Sequence, residues 1–186
     1  MEPAVRLVPF SAAHLAAFAP MTRDPDVLRY TRFPDPPEDA FPREWLARYE
    51  VGRATGTREL FAVVGPPPED ELLGVALAVE IDRAAGAVEL GYLVAPGARG
   101  RGIGTTAVRL LTRWALDEGL TRLVLLIDAE NVGSRTVAER SGYVLEGVEH
   151  DAELRPGRRG DLTTYAFSSA ASGAPQASRS SGGGIL

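Results

Sequence analysis

Apolar residues recur along this chain at two spacings, and the switches between them divide it into elements. Val5 to Pro9 reads as a short strand, and Ser11 is placed to cap a helix through Phe18. Asp24 to Tyr30 reads as a second short helix. A third runs from Pro42 or Arg43 to about Val51, with Trp45, Leu46 and Tyr49 at helical spacing. Leu60 to Val64, Leu72 to Ile81 and Ala87 to Val94 then read as an antiparallel meander, with Arg83 to Gly86 as one of its turns. From Gly102 to Glu118 the apolar residues Ile103, Ala107, Leu110, Leu111, Trp114 and Ala115 fall on one helix face, and Gly119 ends the helix. Leu123 to Ile127 is a continuous apolar strand of the kind found inside a sheet. Asn131 can cap a short helix to Arg140, stopped by Gly142. Tyr143 to Val148 and Leu162 to Phe167 are the last strands. Meander first, then strand–helix–strand–helix–strand, predicts an α+β three-layer α/β/α domain around one mixed, mostly antiparallel sheet.

Composition narrows the class. With 186 residues, 45% of them apolar and 24% charged, the chain suits one well-cored domain, placed at residues 1–167. The Ser/Gly-rich stretch 168–186 has too little apolar surface to fold and is expected to be disordered. A net charge of -5 argues against general nucleic-acid binding. The absence of cysteine excludes disulfides, thiolate nucleophiles and Cys-ligated zinc. His14 and His150 are far apart in sequence, so no metal site is expected. The first residues lack a secretory pattern, and the longest apolar run, Leu72 to Val79, is far short of a membrane span. A cytoplasmic protein with no membrane association is expected.

The densest chemistry lies in Arg99-Gly100-Arg101-Gly102-Ile103-Gly104-Thr105, between a strand and a helix. Alternate glycines let a backbone turn tightly and bring its N–H groups close to a ligand. At a helix start those donors and the dipole favour an anion, so the stretch reads as a pyrophosphate cradle. Three alternatives stand beside this. Glycines here can be turn punctuation alone. Gly102 to Ala107 also fits a G-x-G-x-x-A dinucleotide fingerprint, with Asp128 near the distance of a ribose-binding acid. The preceding meander and the short remainder of the chain leave little room for that repeated βαβ fold. A phosphate-binding P-loop is excluded, because no Gly-Lys-Ser or Gly-Lys-Thr follows.

Three blocks in order carry a family resemblance. They are Val88-Glu89-Leu90-Gly91-Tyr92-Leu93-Val94, then Arg99 with Gly102 and Gly104, then Asn131-Val132-Gly133-Ser134-Arg135 followed by Ala138 to Tyr143. Together with Val5 to Phe10 and Gly160 to Tyr165, the chain resembles a GNAT-superfamily N-acetyltransferase of the RimJ/RimL branch. The resemblance implies a GNAT-like sheet splayed beside the strand that precedes the glycine loop. It implies acetyl-coenzyme A as co-substrate, no metal, and an amine acceptor that is a small molecule or a protein N-terminus. Relatives are often monomers or dimers, so a homodimer is one expectation for the assembly.

The resemblance also implies residue roles. The N–H groups from Arg99 through Thr105, including Gly100, Arg101, Gly102, Ile103 and Gly104, would hold the pyrophosphate. The N–H near Leu93 or Val94 would meet the thioester carbonyl, and Asn131 would bond the pantetheine amide unless it is only a helix cap. Glu89 is the candidate base, the alternative being a structural ion pair. Many relatives place a sulfur-facing tyrosine where this chain has Ala138, so Ser134 is the candidate donor to sulfur. Its alternative is a serine that bonds only backbone. Tyr30, Phe33, Phe41 and Trp45 either face the acceptor or seal the domain, whereas Trp114 is expected in the core and His150 at the surface. The functional alternatives are a coenzyme- or nucleotide-binding module without catalysis and an NAD(P)-binding protein.

Overall fold

The computed structural model describes residues 3–68 and 70–168. Seven strands form one sheet: β1 (Arg6–Pro9), β2 (Glu59–Val64), β3 (Leu72–Asp82), β4 (Ala87–Val94), β5 (Arg122–Asp128), β6 (Val144–Arg155) and β7 (Arg158–Ser168). Their order is β1-β2-β3-β4-β5-β7-β6. Every neighbouring pair is antiparallel except β4 with β5. A parallel pair needs a crossover, and a helix over the sheet supplies it. This architecture is the α+β domain that the pattern predicts. The tail expected to be disordered lies, beyond Ser168, outside the described residues.

One face of the sheet carries α1 (Leu15–Phe18), α2 (Pro25–Tyr30) and α3 (Phe41–Thr55). Phe10, Phe18, Phe41, Trp45 and Tyr49 pack there on Leu60, Ala62, Val75 and Leu93. Phe18 stacks on Trp45 at 4.9 Å, and Phe33 meets Phe41 edge-on at 4.9 Å. Phe33, Phe41 and Trp45 therefore seal the core. The opposite face carries α4 (Ile103–Asp117) and α5 (Val132–Arg140). Ile103, Ala107, Val108, Leu111 and Ala138 pack there on Val88, Leu90, Leu123, Leu125 and Tyr165. Trp114 meets Phe61 edge-on at 5.2 Å and is partly buried, as expected.

Three elements outrun their sequence boundaries. α3 continues to Thr55, where Gly56 ends it at φ 73°. β6 and β7 form a long hairpin to Arg155 and from Arg158, roughly twice the expected length of each strand. Arg155 Nη1 and Arg158 Nη1 each donate at 2.9 Å to the last carbonyls of α2, those of Leu28 and Arg29. Cations at a helix C-terminus are favoured, so the hairpin tip is tied to α2.

The β4–β5 ladder covers only Ala87↔Arg122 to Leu90↔Leu125. β4 then continues along β3 to Val94, and β5 continues along β7 to Asp128. The strands part at that point, leaving a gap inside the sheet. A bulge on β3 between Ala78 and Glu80 lies opposite Leu90 and Glu89. Bulges bend a strand and add twist, which turns β4 away from β5 at this level. Farther along, a Cβ on Gly74 would lie 2.2 Å from the Leu93 carbonyl oxygen, so glycine is required for β3 to hold the free end of β4. Gly74→Ala should cost about 1–3 kcal/mol by overpacking. Urea denaturation reads it, and an unchanged midpoint would contradict this account of the strand pairing.

Candidate active site

The gap between β4 and β5 has a polar lining made of backbone. Ala95 N–H donates to Leu73 O at 2.8 Å, toward β3. Antiparallel alternation then turns the N–H groups of Leu93 and Gly91 to β3 and those of Val94 and Tyr92 to the gap. Of the two amides expected near a thioester carbonyl, Val94 therefore faces the open side and Leu93 faces the neighbouring strand. Polar backbone left open in mid-sheet needs a partner, and an extended chain can supply it as an added strand does.

Beyond Val94, a 3-10 turn (Pro96–Ala98) leads into the glycine loop and α4. Gly100 and Gly102 have φ of 72° and 80°, a left-handed backbone that other residues adopt only under strain. Among the described residues, no backbone carbonyl accepts from the N–H groups of Gly100, Arg101, Gly102, Ile103, Gly104 or Thr105. A run of outward N–H groups at a helix start is an anion-binding concavity. Gly104 serves packing instead, since a Cβ there would stand 3.0 Å from Tyr92 Cε2 and 3.4 Å from Val137 Cγ2.

The two loop arginines differ. Arg99 N–H bonds Pro96 O at 3.3 Å, which removes it from the free set. Its guanidinium turns to Asp24 and Asp26 at the start of α2, the latter at 2.9 Å, while Nε donates to Val94 O at 3.3 Å. Burial alone would raise the Asp24 carboxyl. The bonds from Arg99 and from Val27 N–H outweigh it and hold the group below its usual range. Arg101 is exposed and, among the described residues, has no hydrogen bond or ion pair.

Glu89 and Ser134 lie on opposite sides of the sheet. Glu89 shares the face of Leu93, which packs under α1–α3, and sits where the β4–β5 ladder is about to end. Burial pushes its carboxyl above the usual range, Arg32 Nη1 at 3.3 Å opposes that, and Glu80 reinforces it. The carboxyl is 20% exposed and in an ion pair whose arginine is mostly in solvent, so it can reach a ligand. Ser134 belongs to α5 on the other face. Asn131 caps that helix by accepting from Ser134 N–H at 3.0 Å, which occupies Asn131 Oδ1 and leaves its amide N–H groups for a ligand. Arg109 Nη2 holds the far end of α5 through Arg140 O at 2.6 Å.

One residue of this site is not singled out by the sequence pattern. Tyr92 OH donates to Ser134 Oγ at 3.1 Å across the space between β4 and α5. Burial pushes the Tyr92 phenol up to about 12, against the pull of the Ser134 bond. The Ser134 hydroxyl thus bonds a side chain, whereas Thr136 on the same helix bonds Val132 O at 2.9 Å. Only a contact between residues far apart in sequence reveals this, although the tyrosine's place within the strand block could have flagged it.

Near the C-terminal end of β5, a cavity of about 410 Å³ is lined by Asp128, Glu130, Arg158 and Asp161. Its acids each have a partner in the fold. Arg158 meets Asp128 at 2.6 Å, Arg29 meets Glu130 at 3.1 Å and His150 meets Asp161 at 2.9 Å. Arg155, Arg158 and Arg159 are thereby committed away from the glycine loop. His150 is exposed, as expected.

Among the described residues no helix is long and apolar enough to cross a membrane. Residues 4–144 match the acetyltransferase (GNAT) domain family. A stretch of 99 residues is 33% identical to the ribosomal-protein-serine acetyltransferase of Escherichia coli; it covers 53% of this chain and 55% of that protein. The match thus spans about half the length of this relative. The fold superposes on RimL, a ribosomal alpha-N-protein acetyltransferase in complex with coenzyme A. There the TM-score is 0.81 at 20% identity, covering 89% of this chain and 94% of that one. It also superposes on the spermidine N-acetyltransferase of Vibrio cholerae, in complex with coenzyme A and spermine. That TM-score is 0.76 at 19% identity, covering 88% and 95%. With its family model spanning three-quarters of the chain and its sheet opened beside the glycine loop, the chain belongs to the GNAT acetyltransferase-domain family and is similar to the ribosomal-protein acetyltransferases within it.

Proposed function

We propose that this chain transfers acetyl from acetyl-coenzyme A to a primary amine by direct attack in a ternary complex, without an acyl-enzyme intermediate. The observation that carries this reading is the open backbone N–H edge at Tyr92 and Val94, beside a loop whose N–H groups from Gly100 to Thr105 have no carbonyl acceptor among the described residues. The pyrophosphate would rest on that loop, with Arg101 free to add charge. The pantetheine arm would lie along β4, bonding its free backbone and the remaining amide of Asn131.

In this reading the Val94 N–H stabilises the oxyanion as the amine adds to the thioester carbonyl. The amine arrives on the Glu89 side. Glu89 takes its proton directly or through water, helped by a carboxyl that burial makes more basic. The C–N bond forms and the C–S bond breaks, with the electron pair leaving on sulfur. Ser134, on the other side, offers its hydroxyl to that sulfur.

The names of the relatives suggest two acceptor classes, an N-terminal serine of a protein and a polyamine. In the 410 Å³ cavity Asp128 and Glu130 are offset by Arg158 and Arg29, so those two acids do not favour the polyamine. A peptide with an N-terminal serine and spermidine are therefore the first two probes. The second functional reading, a binding module without catalysis, draws on fully buried Ala138 standing where a tyrosine serves many relatives.

The chain has no cysteine, so a thiol reagent added to the reaction reads coenzyme A alone. Amine-dependent thiol release is the expected outcome. Saturable coenzyme binding with no release from any amine tested would favour the binding module instead. Gly102→Val should weaken coenzyme A binding by about tenfold or more through strain at φ 80°. Calorimetry reads this, and retained affinity would remove the loop from the site. Glu89→Gln should lower kcat by about 10²-fold or more. The base works only when ionised, so wild-type activity should fall as pH drops through a carboxyl titration above the ordinary 4.5. That acid limb should be absent in Glu89→Gln, and its survival there would assign it to another group.

A further inference from the structure

We propose that Tyr92 is a positioning residue for the leaving sulfur: its phenol donates to Ser134 Oγ and thereby turns the Ser134 O–H into the gap between β4 and β5. The inference deepens the reading of Ser134 given under Proposed function and rests on it.

A serine hydroxyl has one hydrogen to give and two lone pairs to accept with. In a helix that hydrogen usually goes back to a carbonyl one turn earlier, as Thr136 does here with Val132 O. A hydroxyl used in that way has nothing left for a ligand. Ser134 instead accepts from Tyr92 OH at 3.1 Å, and its own N–H is taken by Asn131 Oδ1 at 3.0 Å. The donated bond fills one lone pair and limits rotation of the hydroxyl. Its hydrogen is then left for an acceptor in the gap.

Tyr92 is built to hold that geometry. Its ring edge occupies the niche left by the missing side chain of Gly104, 3.0 Å from where a Cβ would stand, with Val137 and Val94 close to the same point. The phenol is pushed up to about 12 by burial, so it stays protonated and remains a donor at any working pH. The coenzyme thiol is a stronger acid than this buried phenol, so no proton passes from Tyr92 to the sulfur. The thiolate departs hydrogen-bonded to Ser134 and takes its proton from solvent. Tyr92 thus acts through Ser134 and does not touch the reacting atoms.

The test uses the full chain with coenzyme A, and needs no acceptor. The chain has no cysteine, and the difference in ultraviolet absorbance between the complexes with coenzyme A and with desulfo-coenzyme A cancels its five tyrosines and the adenine, so that difference reports the coenzyme thiolate. Its titration is followed in wild type, Tyr92→Phe, Ser134→Ala and the double variant. Phenylalanine keeps the ring in the Gly104 niche, and affinity measured below the thiol's titration should change less than about twofold, the small end of a neutral hydrogen bond.

In wild type the bound thiol should titrate below the free coenzyme. Ser134→Ala and Tyr92→Phe should each raise that titration by about one to two pH units, the worth of a hydrogen bond to a charged group. The double variant should rise no further than Ser134→Ala. A merely structural tyrosine would not produce that lack of additivity. If Ser134→Ala moves the titration and Tyr92→Phe does not, or if the two effects add, Tyr92 does not act through Ser134 and the proposal is overturned. If Ser134→Ala itself moves nothing, the reading of Ser134 fails and the proposal falls with it.

Discussion

Four residue pairs hold β4 to β5, and the rest of the site follows from where that ladder stops. A sheet interior normally satisfies every N–H and C=O through its neighbours. Here β4 keeps its bonds to β3 and β5 keeps its bonds to β7, so the loss is confined to the two inner edges past Leu90 and Leu125. The cost of an unsatisfied amide makes such an opening unfavourable unless water or a ligand enters it. The same opening separates two faces with different chemistry. A carboxyl held above its usual range lies on one, and a hydroxyl fixed by a buried phenol lies on the other. A group lying in the gap would be reached from both.

Arg99 links this gap to the rest of the domain. It is bonded to Asp24 and Asp26 at the start of α2 and to the Val94 carbonyl at the end of β4. The opposite end of α2 is held by Arg155 and Arg158 from the hairpin. A six-residue helix is marginal by itself. Anchored at both termini by arginines from distant elements, it becomes a fixed wall beside the site. These arginines are thus structural partners of carboxylates and carbonyls, and in the proposed reading the anion in the glycine loop is met by backbone N–H groups and Arg101.

The meander, the long α4 and the parallel β5 were legible because each has a strong period or an unbroken apolar run. Asn131 as a helix cap was equally legible, since its side chain acts on its own turn. The two last strands were placed, but the length of the β6–β7 hairpin was not legible. Gly147, Glu149, His150 and Asp151 break the alternation, and most of β6 is exposed on both sides, so burial imposes no pattern on its residues. The fate of Arg99 was hidden for another reason: charge in a loop says nothing about which distant carboxylate will claim it. Tyr92 sat in plain view within the strand block. Its partner is 42 positions away on α5, and the glycine that admits its ring is on α4. The motif marked where Gly104 would be, and the structure explains what that glycine makes room for.

Amide hydrogen exchange with and without saturating coenzyme A tests the central claim most directly, because it reads the open backbone itself. The account predicts new protection at Val94 and Tyr92 and from Gly100 to Thr105, with the amides of Leu93 and Gly91 protected already through β3. Saturable binding that leaves these amides exchanging freely, or protects a different surface, would contradict it.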